Sequence, residues 1–248
     1  MLKIFNHFRK LAIISLLSLI LTWSLPAQAD TQISPQLEQQ VLEIIRKNPE
    51  IILESVEKYQ QKQQQKLQQS REEFIKNLQS KPKSIIGDSP TTGATTSKTV
   101  LIEFSDFECP YCAEAHQTLK DLLAKYPDKF TLVHKHFPLY QIHQQALPAA
   151  KAAWAAYEQG KFWEYHDALF TNQKKLDETL YLDTAKKLNL NIIKFNSDRE
   201  SANSFIQKDL ELARKLGLGG TPSFIMTNEN FAGPVKLAEI ENILQGKQ

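Results

Sequence analysis

The chain has 248 residues, is 42% hydrophobic and carries a formal charge of +2. That apolar share supplies a core for one or two domains. The near balance of 30 basic and 28 acidic residues gives no basis for a charge-driven role on nucleic acid or on an anionic membrane surface.

Residues 1–29 have the three parts of a secretory signal peptide. Lys3, Arg9 and Lys10 form a positive start, Leu11 to Leu25 an apolar stretch, and Ala27-Gln28-Ala29 a small-x-small cleavage pattern before Asp30. The alternative is an uncleaved membrane anchor. The apolar stretch, about 15 residues, is shorter than the roughly 20 that a spanning helix needs, so cleavage and export are expected.

Residues 30–80 read as an N-terminal helical arm. Ser34-Pro35 is a helix start, an N-cap followed by proline at the first position. Leu37, Val41, Ile44 and Ile45 then share a helical face. Asn48-Pro49 repeats the start signal, and a second helix carries Ile51, Ile52, Leu53, Val56 and Tyr59. Gln60 to Gln69 is a Gln/Lys-rich solvated stretch, after which Phe74 and Leu78 return at helical spacing. An arm this short buries its own apolar faces poorly. Residues 34–78 therefore pack either on the domain that follows or on another copy, giving a homo-oligomer.

Residues 81–98 are rich in Ser, Thr, Pro and Gly and read as a linker, with a short edge strand at Ser84-Ile85-Ile86. The domain proper occupies residues 99–248. Val100 to Ser105 is a strand apolar on both faces, as a central strand is. Ala113 to Tyr126 is a helix and Phe130 to Phe137 a second strand, stopped by Pro138. A helical insertion follows at about 142–216. Its helices are carried by Trp154 and Tyr157, by Phe162, Trp163, His166, Leu169 and Phe170, by Leu180 to Leu188, and by one long helix from Asp198 to Leu216. Ser223 to Met226 is a strand, Asn228 to Asn230 a turn, Phe231 to Val235 its return strand, and Lys236 to Leu244 a final helix. The fold class is α/β, a small sheet interrupted by a helical block.

The two cysteines, Cys109 and Cys112, sit three apart between the first strand and its helix. In that context Cys-x-x-Cys is a thiol–disulfide site. Cys109 falls at the helix N-terminus, where free N–H groups and the dipole favour a thiolate. Pro110 suits the first helical position. Cys109 is thus expected to be the exposed, acidic nucleophile and Cys112 the more buried resolving thiol. No metal or organic cofactor is expected, only a redox-active Cys109–Cys112 disulfide. Half a zinc site is the competing reading, with further ligands drawn from His116, His134, His136 or His143, but no second Cys-x-x-Cys supports it. Glu103, six residues before Cys109 in the apolar strand, is expected to lie beneath the pair with a raised pKa and to exchange a proton with Cys112. Asp106 and Glu108 read as solvated.

Phe104 to Cys112, then His136-Phe137-Pro138-Leu139, then Gly160 to Trp163 with His166 to Phe170, then Gly220 to Phe224, resemble the DsbA-like family of exported thiol–disulfide oxidoreductases over residues 84–246. The resemblance implies a thioredoxin fold with an inserted helical domain. It implies that Thr221-Pro222 is a cis peptide facing the cysteines, and that Thr221 and Pro222 bind the substrate chain. The arm is similar to that of the Com1/ScsC subgroup, some of whose members oligomerise through it and shuffle disulfides. Cysteine-containing exported proteins are the clients implied, with a membrane or soluble redox partner in the periplasm or another extracytoplasmic compartment. Tyr111 stands where the family's best-known oxidants carry histidine, so it supplies no cationic donor to Cys109. Two other functions compete: a glutaredoxin-like reductase, since Cys-Pro-Tyr-Cys occurs there also, and a non-catalytic metal-binding or scaffold protein.

Overall fold

The computed structural model describes residues 34–228 and 232–247. The signal segment at 1–29, the turn residues 229 and 230, and Phe231 lie outside the described residues. The described residues form two compact units, divided between Tyr59 and Gln60.

In the first unit, helix α1 spans Pro35–Lys47. Ser34 caps it, its hydroxyl accepting from Leu37 N–H at 3.2 Å. Asn48 closes it, its amide bonded back to Ile44 O at 2.8 Å. Helix α2 starts at Pro49 and runs to Ser80 without a break. The Gln/Lys-rich stretch stays helical because these residues are good helix formers and neither Gly nor Pro interrupts them. Leu37, Val41, Ile44, Ile45, Ile51, Ile52, Val56 and Tyr59 are all exposed.

Within the second unit, the end of α2 packs through Phe74 and Leu78, both buried. Arg71 Nε donates to Leu216 O at 2.8 Å. The expected linker at 81–98 is corrected. Pro82–Ile86 is a short helix, α3, in place of the expected edge strand. The edge strand is instead β1, Thr91–Gly93, paired antiparallel with the strand Thr131–His136. Proline at the first position of Pro82–Ile86 favours the helical turn there, and Gly93 adopts a positive φ of 79° where the chain leaves the sheet.

The sheet has the order β1-β3-β2-β4-β5, with β2 at Val100–Ser105, β3 at Thr131–His136, β4 at Ser223–Thr227 and β5 at Ala232–Val235. β2 is central, parallel to β3 and antiparallel to β4. All six of its residues are buried, which explains its unbroken apolar run. One face packs Leu101, Leu132, Phe224 and Met226 on α4 (Pro110–Lys125) and α10 (Leu237–Leu244). The other packs Ile102, Phe104, Val133 and Ile225 on α2 and α9 (Asn203–Lys215). Strand alternation puts Glu103 and Ser105 on the α4 face, beside their β3 partners His134 and His136. This is the thioredoxin-like arrangement.

Between β3 and β4 lie α5 (Ala146–Tyr157), α6 (Phe162–Thr171), α7 (Glu178–Lys187), α8 (Ile192–Ser201) and α9. Alanines of α5 and Tyr165, Leu169, Tyr181 and Phe195 make their core. The long helix expected from Asp198 is two, α8 and α9, meeting at Ala202. Ala202 is fully buried there, and Ser201 Oγ donates back to Asp198 O at 3.0 Å, a bond that competes with the helical ladder. No helix of the described residues is long and apolar enough to cross a membrane.

Candidate active site

Cys109 is the N-cap of α4, with extended φ and ψ of −74° and 122°. Pro110 takes the first helical position, where its missing N–H leaves nothing unpaired. The helix then brings Cys112 back over Cys109, with Cys112 N–H bonded to Cys109 O at 3.0 Å. Both cysteines are free thiols. Cys112 is fully buried and Cys109 is 4% exposed. Their order is as expected, but Cys109 is more covered than expected. Its cover is the loop before β4: Cys109 Sγ lies 3.3 Å from Thr221 O and donates to it only when protonated. Thr221-Pro222 is a cis peptide, as the resemblance implies. Tyr111 is 69% exposed and stands beside the pair as an apolar surface.

The two sulfurs differ sharply in acidity. The Cys112 thiol hydrogen bond, the Thr221 hydroxyl and the N–H groups of Cys112 and Tyr111 hold Cys109 down at about 5, against the opposing effect of burial. Burial, with the Cys109 charge beside it, pushes Cys112 far up. At neutral pH the pair therefore consists of one thiolate and one thiol.

Glu103 lies in the central strand, buried, and not at a sheet edge. Burial raises its pKa to about 7, and the Ser105 hydroxyl opposes the rise. The same hydroxyl lowers the Cys112 thiol, so Ser105 stands between the two groups.

Asp106 was expected in solvent and is buried. Its carboxylate accepts from Glu108 N–H at 2.9 Å and Leu139 N–H at 2.9 Å, and meets His143 Nδ1 at 2.7 Å. Burial lowers the His143 pKa, but the Asp106 contact outweighs it and holds that ring above its ordinary value. Glu108 is half-buried and accepts from Gln145 N–H. Gln173 Nε2 donates to both Phe107 O at 2.9 Å and Cys109 O at 2.8 Å. These three side chains tie the cysteine loop to the helical insertion. Their spacing in the chain carries no signal of this, because the partners lie 33 to 66 residues apart.

Beneath the pair, His134, His136 and His166 are buried around Phe107. Burial keeps all three below the ordinary histidine pKa and so uncharged at pH 7. Glu103, His134 and His166 could hold a metal ion, as could His116, His166 and Asp167. Among the described residues neither of these groups includes a cysteine, so the half-zinc reading of the cysteines gains no ligands here.

The family described as thioredoxin matches residues 86–246. A Na(+)/H(+) antiporter NhaA of Salinispora tropica is 36% identical over 148 residues, which is 58% of this chain and 22% of that relative. The chain thus spans about a fifth of the length of the curated relative it matches. A thioredoxin-like oxidoreductase from Silicibacter pomeroyi is similar in structure, with a TM-score of 0.57 and 29% identity, over 66% of this chain and 95% of that one. ScsC of Proteus mirabilis in a compact conformation gives a TM-score of 0.58 at 28% identity, over 85% of this chain and 96% of its own.

Proposed function

We propose, from the premise that the chain belongs to the thioredoxin family and to its DsbA-like members, that it is an exported thiol–disulfide oxidoreductase acting on other exported proteins. It oxidises or isomerises client disulfides through Cys109 and Cys112. The observation that carries this reading is the split of the pair into an acidic Cys109, at about 5, and a buried Cys112 pushed far up.

For oxidation, a client thiolate attacks Cys109 Sγ of the disulfide form. A client–Cys109 bond forms, and Cys112 leaves as a thiolate that takes a proton from Glu103. A second client thiolate then attacks the client sulfur of that mixed disulfide. The client disulfide forms and Cys109 leaves as a stabilised thiolate. Isomerisation begins instead with the reduced form, when the Cys109 thiolate attacks a client disulfide and a different client thiolate displaces it. The backbone around Thr221 and Pro222 faces Cys109 and binds the client chain beside it, and Pro110 and Tyr111 shape the other wall. Tyr111, neutral, adds no positive charge near Cys109.

The exposed apolar faces of α1 and the start of α2 support pairing of the 34–78 arm with another copy through its first part, since Phe74 and Leu78 pack on their own domain. The redox partner is a membrane or soluble protein of the same extracytoplasmic compartment, and nucleic acid has no part. The reading is tested by equilibrating the protein in glutathione buffers and measuring the potential of the Cys109–Cys112 pair. A value within the glutathione range supports oxidation or isomerisation. A value far below it would make the protein a reductant and overturn that direction.

A further inference from the structure

In the group Glu103, His134 and His166, both imidazole rings and one carboxylate oxygen make no hydrogen bond to the protein. The three residues are 1%, 1% and 3% exposed. Both ring nitrogens of each histidine, and Glu103 Oε1, are buried without a protein hydrogen-bond partner. A buried polar group left unpaired costs about 1–3 kcal/mol, so five such atoms in one place call for a ligand. The buried carboxylates elsewhere are paired: Asp106 contacts three nitrogens and Asp209 accepts from His136 N–H at 2.9 Å, while the ring of His136, next to His134, is unpartnered as well.

We infer that Glu103, His134 and His166 form a binding site for a divalent transition-metal ion of the zinc class, made without either cysteine but sharing Glu103 with the pair. The proton for Cys112 therefore comes from Glu103 in the metal-free protein. One ligand atom from each residue lies within 4.8 Å of the others. Metal–ligand bonds of roughly 2.1 Å set ligand atoms about 3.4 Å apart in a tetrahedron, so the side chains close by at most about 1.4 Å to bind. Two neutral imidazoles and a carboxylate suit a borderline ion over calcium or magnesium, which take oxygen ligands. The strand pair holds two of the ligands rigidly, since Glu103 and His134 are register partners of β2 and β3. Helix α6 supplies the third. Asp167 Oδ1 stands 3.6 Å from His166 Nδ1, where an outer carboxylate orients a ligating ring. The nearby lysines are engaged, Lys120 with Asp167 at 2.9 Å and Lys135 with Asp209 at 3.2 Å. A cavity of about 160 Å³ lined by Glu103, His116, Lys120, Trp163, His166 and Asp167 reaches the site from the surface. It gives the ion an entry path and leaves room for a further, non-protein ligand.

The test uses the untagged full chain carrying Cys109→Ala and Cys112→Ala, so that thiolates cannot bind the probe. Zinc and cobalt are titrated in turn, with calorimetry and metal analysis for zinc and visible absorption for cobalt. One equivalent of either ion is expected, with a cobalt spectrum of low coordination number and a raised melting temperature. Adding His134→Gln or His166→Gln is expected to weaken binding at least tenfold. If those variants do not fold, the histidine ring signals of the cysteine-free parent are followed by NMR during the zinc titration. The buried rings of His134 and His166 should shift and that of His143 should not. No binding by the cysteine-free parent, binding unchanged in folded His134→Gln and His166→Gln, or unshifted buried rings would each overturn the site.

Discussion

Removing the Cys112 thiol should make Cys109 less acidic, and by a predictable amount. In the reduced protein the largest influence holding Cys109 near 5 is the hydrogen bond from Cys112. The Thr221 hydroxyl and the first N–H groups of α4 come after it. A hydrogen bond to a charged group contributes roughly 1.5–3 kcal/mol, and one pKa unit corresponds to about 1.4 kcal/mol. Cys112→Ala should therefore raise the Cys109 pKa by about one to two units, and Thr221→Val by less. At pH 7 a group titrating near 5 is about 99% ionised, against a few per cent for a free cysteine. Cys112 does not interfere, because burial pushes it far above the range scanned. Ultraviolet thiolate absorbance and iodoacetamide alkylation rates, each followed against pH on the reduced protein, give the midpoint directly. A wild-type midpoint at 8 or higher, or an unchanged midpoint in Cys112→Ala, would refute the account of how the helix end and the paired thiol act.

The same shift links stability to pH. The folded pKa of Cys109 is depressed below the unfolded value, so its thiolate stabilises the reduced fold fully above about pH 8.5. That stabilisation is lost as pH falls through about 5. The melting temperature of the reduced protein, relative to Cys109→Ala, should climb from pH 5 to 8.5, and a flat difference would contradict the linkage. Asp106→Ala leaves Leu139 N–H, Glu108 N–H and His143 without their acceptor, and should destabilise by about 3 kcal/mol in urea unfolding. Asp106→Asn should lose less, because its carbonyl still accepts. On the arm, Ile44→Glu with Val56→Glu should convert an oligomer into a monomer in light scattering. A wild-type chain that is itself monomeric would show that the apolar face does not pair with another copy.

The parts of this fold legible in the sequence are those with a local cause. The buried run of β2 and the Ser34-Pro35 and Asn48-Pro49 helix starts depend on residues within a few positions of one another. So does the placement of Cys109 at a helix N-terminus. What was not legible depends on distant partners. Asp106 reads as a loop carboxylate until Leu139 and His143 arrive from beyond β3. Gln173 is an unremarkable polar residue whose amide happens to reach two carbonyls of the cysteine loop. His134 and His136 are visible as one strand face, but only α6 brings His166 against them. Residues 81–98 look like a linker by composition, yet three residues of that stretch pair with an edge of the sheet. The cis peptide at Thr221-Pro222 came from the resemblance to a family, since a proline in sequence does not state its isomer.

The central claim is that Cys109 makes the bond to the client and Cys112 releases it. Reduced Cys112→Ala, Cys109→Ala and wild-type protein are each mixed with a disulfide-bonded model substrate, quenched in acid and weighed by mass spectrometry without reduction. Cys112→Ala should accumulate a stable mixed disulfide through Cys109, wild type only a fleeting one, and Cys109→Ala none. A folded Cys112→Ala protein that traps no substrate, or a Cys109→Ala protein that does, would contradict the account.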